Sequence, residues 1–187
     1  DGDFFSFVTD LVSPGGVIAD LDLWLKANSG VTGSSDVAGW SDQSGNSNNA
    51  SQGTVSNQPD LIAEGMNFND VLNFDGNDDF LNNSSGGANS ATYYVVFESA
   101  VPVDFSSPAQ IVFGFNAGGL GSDQAGLGLG DFTGSVSGEV WGHFTGDPLT
   151  YTVVESGTLT IPSDQPVLVA VRDNAAGTSS QLFRNGR

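Results

Sequence analysis

Hydrophobic and polar residues alternate in short segments along most of the chain, and no segment shows the 3.6-residue period of an amphipathic helix. Alternation with a period of two residues predicts β-strands, and the Gly, Asn, Asp and Ser clusters between the segments predict turns. Segment 61–68 holds only short apolar stretches. We predict strands at 17–26, 71–81 (with a turn at 75–79), 93–98, 110–115, 136–144, 150–155, 157–161, 167–172 and 181–184.

The predicted strands recur about every ten residues with turn residues between them, a pattern typical of β-sandwiches and jelly rolls. We therefore predict an all-β fold, an antiparallel β-sandwich of the jelly-roll type. Residues 1–16 form a lead-in segment, and residues 17–187 form one domain. Two polar or glycine-rich stretches, 28–36 and 116–130, are predicted to be long loops.

The charge of the chain restricts its partners. The sequence has 22 acidic and 4 basic residues, which gives a formal net charge of -18. Nucleic acids and anionic lipid surfaces are bound through Lys and Arg, so neither is an expected partner. No apolar run is long enough to span a bilayer as a helix, so we expect no membrane insertion.

So many like charges repel one another and destabilise a compact fold unless cations neutralise them. Calcium ions prefer six to eight oxygen ligands, which Asp and Asn side chains in turns supply. The aspartates of this chain are clustered in predicted turns and the chain has no Cys for disulfides. We therefore predict Ca²⁺ as the cofactor; the alternative is a salt-adapted surface without a specific ion.

Two acidic turns are candidate sites. Asp75 and Asp78 lie in the run Asp-Gly-Asn-Asp-Asp and are predicted metal ligands, whereas the alternative is a hairpin turn in which Asp79 caps or pairs with the loop amides. In the run 42–46, Asp42 and Ser44 can close turns onto backbone amides, and we favour this structural role over a contribution to a metal shell.

A glycine-rich stretch at 118–131 provides the other candidates. Glycine allows backbone carbonyls to face a cation or a ligand, and long loops often carry function. Asp123, Gln124 and Asp131 are predicted metal ligands, and Asp123 and Gln124 are also predicted ligand contacts. Trp141 is a further predicted ligand contact because an aromatic face can stack on a sugar ring; a core position is its alternative.

The residues present do not favour an enzyme. Glycosidases use two nearby carboxylates, but Glu64, Glu98, Glu139 and Glu155 are scattered. The single His143 has no Cys or second His with which to hold zinc, and no GxSxG elbow is present. We therefore predict a binding protein rather than an enzyme; a polysaccharide-cleaving activity would require catalytic groups from distant loops.

Three segments in order carry a resemblance to a known family: DLWLKA at 22–27, WSDQSGNSNNAS at 40–51 and VLNFDGNDDFL at 71–81. With LVAVRDN at 168–174 and SSQLFRNGR at 179–187, they resemble the laminin-G-like, concanavalin A-like jelly rolls of bacterial surface proteins. The resemblance implies a two-sheet jelly roll. In that family further strands follow the Asn-Gly turn, so we expect either a shorter domain or one whose last strands are cleaved off or supplied by another segment.

The acidic, Asp- and Gly-rich style also resembles ligand-binding domains of large calcium-dependent (RTX-type) bacterial adhesins. This resemblance implies an extracellular module at the bacterial cell surface that binds a glycan or a short peptide on another cell. The alternative is a structural spacer or half-domain of a fibrous adhesin, completed by a complementary segment.

Overall fold

The fold is taken from a computed structural model, which describes residues 13–17, 19–83, 92–102, 110–116, 124–129, 141–145, 162–172 and 181–185. Twelve strands lie in these ranges, and two short 3₁₀ turns at Pro14–Gly16 and Val55–Asn57 are the helical elements among them. The described strand pairings within the sheets are antiparallel. The all-β class predicted from the alternating pattern is therefore confirmed.

The chain divides into two compact units, Asp1–Ser85 and Gly86–Arg187. The first unit contains the following strands: β1 (Val31–Thr32), β2 (Gly39–Trp40), β3 (Ala50–Ser51), β4 (Asp60–Met66), β5 (Asn69–Asn73) and β6 (Asn82–Asn83). The second unit contains β7 (Thr92–Phe97), β8 (Gln110–Asn116), β9 (Gln124–Leu129), β10 (Trp141–Thr145), β11 (Val167–Arg172) and β12 (Gln181–Arg184).

In the first unit a sheet of very short strands has the order β1-β2-β3-β6, and β4 and β5 form a separate hairpin. Among the described residues of this unit, Val37, Ala50 and Pro59 are the buried apolar ones. Gln52 is buried with them, and its side chain donates to the carbonyl of Phe80 at 3.3 Å and accepts from the amide of Thr54 at 2.9 Å. A buried amide with both ends bonded costs little, so the polar residue is compatible with this small core.

The segment 17–26, predicted as a strand, forms no ladder over its described residues; Lys26 makes only an isolated bridge with Ser29. The prediction is wrong because the backbone of this segment bonds to a loop rather than to a neighbouring strand. The amide of Trp24 donates to the carboxylate of Asp42, and the carbonyl of Trp24 accepts from the amide of Gln43.

In the second unit the sheets have the orders β12-β11-β7 and β10-β9-β8. The strands predicted at 93–98, 110–115, 167–172 and 181–184 are confirmed within one or two residues by β7, β8, β11 and β12. The strand predicted at 136–144 overlaps β10 at its C-terminal end, whereas those predicted at 150–155 and 157–161 lie outside the described residues.

The loop predicted over 116–130 is a strand over Gln124–Leu129, and this strand lies in the middle of its sheet. The glycine content misled the prediction. Ala125, Leu127 and Leu129 alternate with Gly126 and Gly128, which is the period of a strand. Hydrogen-bonded neighbours on both sides offset the entropy that glycine loses in a strand.

Strand β11 has one buried face. Val167 and Val169 are 2% and 1% exposed, whereas Leu168 between them is 40% exposed. Since successive side chains of a strand point to opposite faces, the valines form the core side of the sheet.

Replacing Val169 with Ala should lower the free energy of unfolding by about 2 kcal/mol, because two buried methyl groups are lost and a cavity is left. Leu168→Ala is the matched control on the opposite face and should cost less than half as much. Urea denaturation of the two variants measures the difference. Equal losses would contradict the assignment of the valine face as the core side.

The β4–β5 hairpin turns at Asn67 and Phe68, whose φ angles are 48° and 62°. Two successive positive φ angles are typical of a type I′ turn, in which Asn is favourable first and Gly second. Phe68 occupies the glycine position with its ring 91% exposed. The side chain therefore strains the backbone while burying almost nothing.

Phe68→Gly should raise the free energy of unfolding by about 1 kcal/mol, because relief of the left-handed strain exceeds the extra entropy of glycine in the unfolded chain. Phe68→Ala removes the same ring but keeps the strained Cβ, so its stability should stay near that of the parent. Thermal or urea unfolding distinguishes the two. A gain in the alanine variant equal to that in the glycine variant would argue against backbone strain.

Candidate metal centre

The loop between β5 and β6 closes on itself through two aspartates. Oδ1 of Asp75 accepts from the amides of Asn77 at 2.8 Å, Asp78 at 3.2 Å and Asp79 at 3.4 Å. In return the amide of Asp75 donates to Oδ2 of Asp79 at 2.9 Å. Gly76 has a φ of 74°, which allows the chain to turn sharply enough for these bonds. These are the loop-amide bonds expected for the structural role of this turn.

Asn57 in the 3₁₀ turn Val55–Asn57 holds the loop from outside. Its side-chain amide donates to the carbonyl of Asp78 at 3.0 Å, and its carbonyl accepts from the amide of Phe80 at 3.1 Å. The loop is therefore anchored through its backbone, and the carboxylate of Asp78 is not needed for that anchoring.

The turn brings three carboxylates together. One oxygen each of Asp75, Asp78 and Asp79 lies within 4.8 Å of the others; Asp75 and Asp78 are exposed and Asp79 is half-buried. An ionised carboxylate has two acceptor oxygens. When one of them accepts hydrogen bonds from the loop amides, the other can still bind a cation. Calcium takes six to eight oxygens at 2.3–2.6 Å. Three carboxylates can supply part of that shell and leave positions for water or for hydroxyl groups of a ligand.

The hydrogen bonds also keep Asp75 ionised. The amide of Asn77 is the largest influence and lowers the pKa of Asp75, desolvation by neighbouring atoms opposes it, and the amides of Asp78 and Asp79 lower it further. The pKa of Asp75 is therefore below its usual 3.8. A carboxylate that stays deprotonated at neutral pH is ready to bind a cation.

The second acidic turn has a different role. Burial raises the pKa of Asp42, but hydrogen bonds from the hydroxyl of Ser44 and from the amides of Trp24, Ser44 and Asn48 outweigh it and lower the pKa below 3.8. The four donors lie 2.6–3.0 Å from its two oxygens. With its oxygens engaged by protein donors, Asp42 acts as a structural acceptor, as the turn spacing predicts.

Neighbouring amides extend this network to the segment before Trp24. The side chain of Asn46 donates to the carbonyl of Leu21 at 2.8 Å, and that of Asn48 donates to the carbonyl of Asp22 at 2.9 Å. An open cavity of about 300 Å³ beside the network is lined by Asp20, Leu21, Asp22, Ser44 and Asn46. On its wall, the side chains of Ser44 and Asn46 donate to the carbonyls of Leu21 and Asp22, so these two side chains hold the segment in place.

The structure groups only part of the predicted site. Asp75 and Asp78 lie together, and Asp79 joins them; from the sequence, Asp79 was predicted only in the hairpin alternative, as a partner of the loop amides. Its position in the same five-residue acidic run is the sequence feature that could have predicted Asp79 as a metal ligand. Asp123 and Asp131 lie outside the described residues, so their predicted roles stay predictions.

Gln124 and Trp141 lie at opposite ends of a strand pair. Gln124 at the start of β9 pairs with Thr145, and Trp141 at the start of β10 pairs with Gly128. The two positions are separated by four residues along the strands, or roughly 14 Å. The sheet therefore does not bring these two predicted contacts to one point, and a ligand that touched both would have to extend along the strands.

Comparisons with known proteins were negative: no protein-family model, no curated protein and no solved structure matches the chain. Among the described residues, no helix is long and apolar enough to cross a membrane. The function is therefore argued from the site itself.

The low pKa of Asp42 predicts how stability changes with pH. Since the pKa is lowered by folding, its contribution is present above the unfolded pKa of about 3.9 and is lost as the pH falls through the lower folded value. Asp42→Asn should lower the free energy of unfolding at pH 7 by about 1–2 kcal/mol, a figure reduced for the partial exposure of the site. The loss should shrink as the pH falls through the folded pKa, because the parent carboxyl then becomes protonated as well.

Urea denaturation of both proteins between pH 2 and pH 7 measures this difference. Asp60→Asn, which removes a carboxylate from an exposed position of β4, controls for the change in net charge. A deficit of Asp42→Asn that is constant across the pH range would show that the carboxylate charge is not what holds the loop.

Proposed function

We propose that the chain is a Ca²⁺-dependent ligand-binding module that mediates adhesion as part of a bacterial cell-surface protein. The observation that carries the proposal is the cluster of Asp75, Asp78 and Asp79 carboxylates within 4.8 Å. A site with three protein carboxylates and an open side suits a cation that both orders a loop and coordinates hydroxyl or carboxylate oxygens of a ligand. The ligand class is a glycan or a short peptide.

The net charge of -18 supports an extracellular location for this module. Calcium sites of extracellular modules bind in the 10⁻⁴–10⁻³ M range, which a small, exposed carboxylate cluster can reach. Bound Ca²⁺ also reduces the repulsion among the acidic side chains, so the ion would contribute to stability as well as to binding.

The fold that goes with this function is an antiparallel sandwich of the concanavalin A-like jelly-roll type. Two three-stranded antiparallel sheets in the second unit and the buried valine face of β11 support it. Loops at the edge of such a sandwich are the usual place for cations and ligands, because the sheets hold them rigidly while their backbone stays accessible.

Two half-exposed aromatic rings flank the acidic loop. Phe74 precedes it and Phe80 follows it, and both are 44% exposed. An apolar ring beside a cation suits a ligand that has both an apolar face and oxygen donors. We assign no catalytic role to the site, since binding through a cation and a ring needs no proton transfer.

Calcium binding can be tested with a matched pair of variants. Ca²⁺ added to the chelated protein should raise its melting temperature, because an ion that binds only the native state stabilises it by RT ln(1 + [Ca²⁺]/Kd). Asp78→Asn should weaken Ca²⁺ binding at least about tenfold, since it removes one charged ligand while its carbonyl still anchors the loop to Asn57.

Isothermal titration calorimetry in millimolar Ca²⁺ gives the affinities, and Asp60→Asn is the control with the same loss of charge. The control should bind Ca²⁺ like the parent. An unchanged melting temperature in millimolar Ca²⁺ would contradict the proposed metal site, and equal weakening by both variants would reduce the effect to general surface charge.

A further inference from the structure

The outer face of the β12-β11-β7 sheet is apolar and exposed. In an antiparallel ladder, directly opposed residues lie on the same face, and so do residues two apart along a strand. Tyr94, Ala170 and Phe183 form one row across the three strands, and Val96 and Leu168 form the next. Tyr94 is 72% exposed, and the other large side chains of this set are at least one-third exposed. We call these five residues the outer face.

An apolar outer face is unusual for a sheet whose other face is already packed. The inner side of β11 is filled by the buried Val167 and Val169, and an antiparallel sheet with one packed face normally alternates apolar and polar residues. Leu168 and Ala170 occupy the outer positions instead, so β11 is continuously apolar from Val167 to Val171 and ends in the charged Arg172. Such a strand is typical of a sheet that is covered on both sides.

The distribution of charged residues also indicates that the outer face is a contact surface. None of its five residues is charged, although the chain carries 22 acidic side chains. The row beyond it pairs Thr92 with Arg172, both exposed, and Arg172 is one of only four basic residues. Contact surfaces are depleted of charge at their centre and polar at their rim, as this arrangement is.

The size of the outer face argues against a protein partner. Three strands and two rows span roughly 10 Å by 7 Å between Cα positions. A stable protein interface buries about 800 Å² on each partner, about ten times the area of this rectangle of described residues. A second copy of the chain is further opposed by the net charge of -18 that each copy would bring.

The shape and chemistry of the outer face suit a sugar ring. Ala170 is a small residue between Tyr94 and Phe183, so the row has a low centre between two aromatic residues that lie roughly 10 Å apart. A pyranose ring has an apolar C–H face that packs against aromatic rings and a rim of hydroxyl groups. The hydroxyl of Tyr94 and the polar row of Thr92 and Arg172 offer hydrogen-bonding groups at the edge.

We propose that the outer face binds a carbohydrate, with pyranose rings packed on Tyr94 and Phe183 across Ala170. This inference rests on the ligand-binding part of the proposed function, for which it names the ligand class and the contact surface. It is independent of the acidic loop, because no residue of that loop contributes to the outer face.

The experiment probes the purified chain on an array of pyranose oligosaccharides, both neutral and uronic acid-containing, with a short-peptide array in parallel. Each array is run in millimolar Ca²⁺ and in EGTA. Tyr94→Ser should weaken oligosaccharide binding about tenfold, whereas Tyr94→Phe, which keeps the ring, should retain most of it. Val101→Ser removes an apolar side chain outside the outer face that is 59% exposed, as Val96 within it is, and should bind like the parent.

Melting curves of all variants confirm folding, and Leu168→Ser, at a second outer-face position, repeats the test if Tyr94→Ser is unfolded. Loss of oligosaccharide binding in the outer-face variants alone supports the inference, even if EGTA has no effect and the Ca²⁺ part of the proposed function fails. Four results would overturn it: no oligosaccharide bound, oligosaccharide binding unchanged by Tyr94→Ser, an effect of the outer-face variants on peptides only, or a parent dimer that Tyr94→Ser converts to a monomer. If EGTA abolishes oligosaccharide binding and Tyr94→Ser does not change it, the proposed function is supported. In that case the outer face is not the binding surface.

Discussion

In the first unit, aspartate carboxylates that accept hydrogen bonds from backbone amides stabilise the segments that lie outside the strand ladders. Asp42 collects hydrogen bonds from Trp24, Ser44 and Asn48, and Asp75 collects those of the three residues that follow Gly76. Strands of only two residues provide few ladder bonds, and the chain has no Cys for disulfides. Charge-assisted bonds of this kind are stronger than bonds between neutral groups, so a few aspartates can fix long irregular segments.

The same chemistry connects the fold to the proposed function. A carboxylate that organises a turn must be ionised, and ionised carboxylates held close together attract a divalent cation. In the loop of Asp75, Asp78 and Asp79 the structural and the metal-binding interpretations are therefore compatible, because one oxygen can serve the backbone and the other the ion. In the Asp42 turn four donors engage the carboxylate, and the structural role is the dominant one.

Strands were predicted correctly where the local alternation of apolar and polar residues agrees with the pairing of the strand in the folded sheet. The strands at 167–172 and 181–184 were predicted to the residue because their apolar and β-branched residues stand in a ladder. The prediction failed for 17–26, where alternation is present but the backbone partners are the side chains of Asp42, Asn46 and Asn48. It failed again at β9, where the glycines indicated a loop although neighbouring strands complete the hydrogen bonds of Gln124–Leu129.

The sequence by itself determined the all-β class, the acidic surface and the two turns at Asp42 and Asp75, since these follow from residue periodicity, charge and side chains that bond to amides a few residues away. The tertiary structure decided which acids meet and which apolar residues remain outside. It added Asp79 to the carboxylate cluster, separated Gln124 from Trp141, and placed Tyr94, Leu168 and Phe183 on one exposed face. Alternation assigns residues to two faces of a strand, but only the pairing of distant strands determines which face is buried and which residues lie side by side.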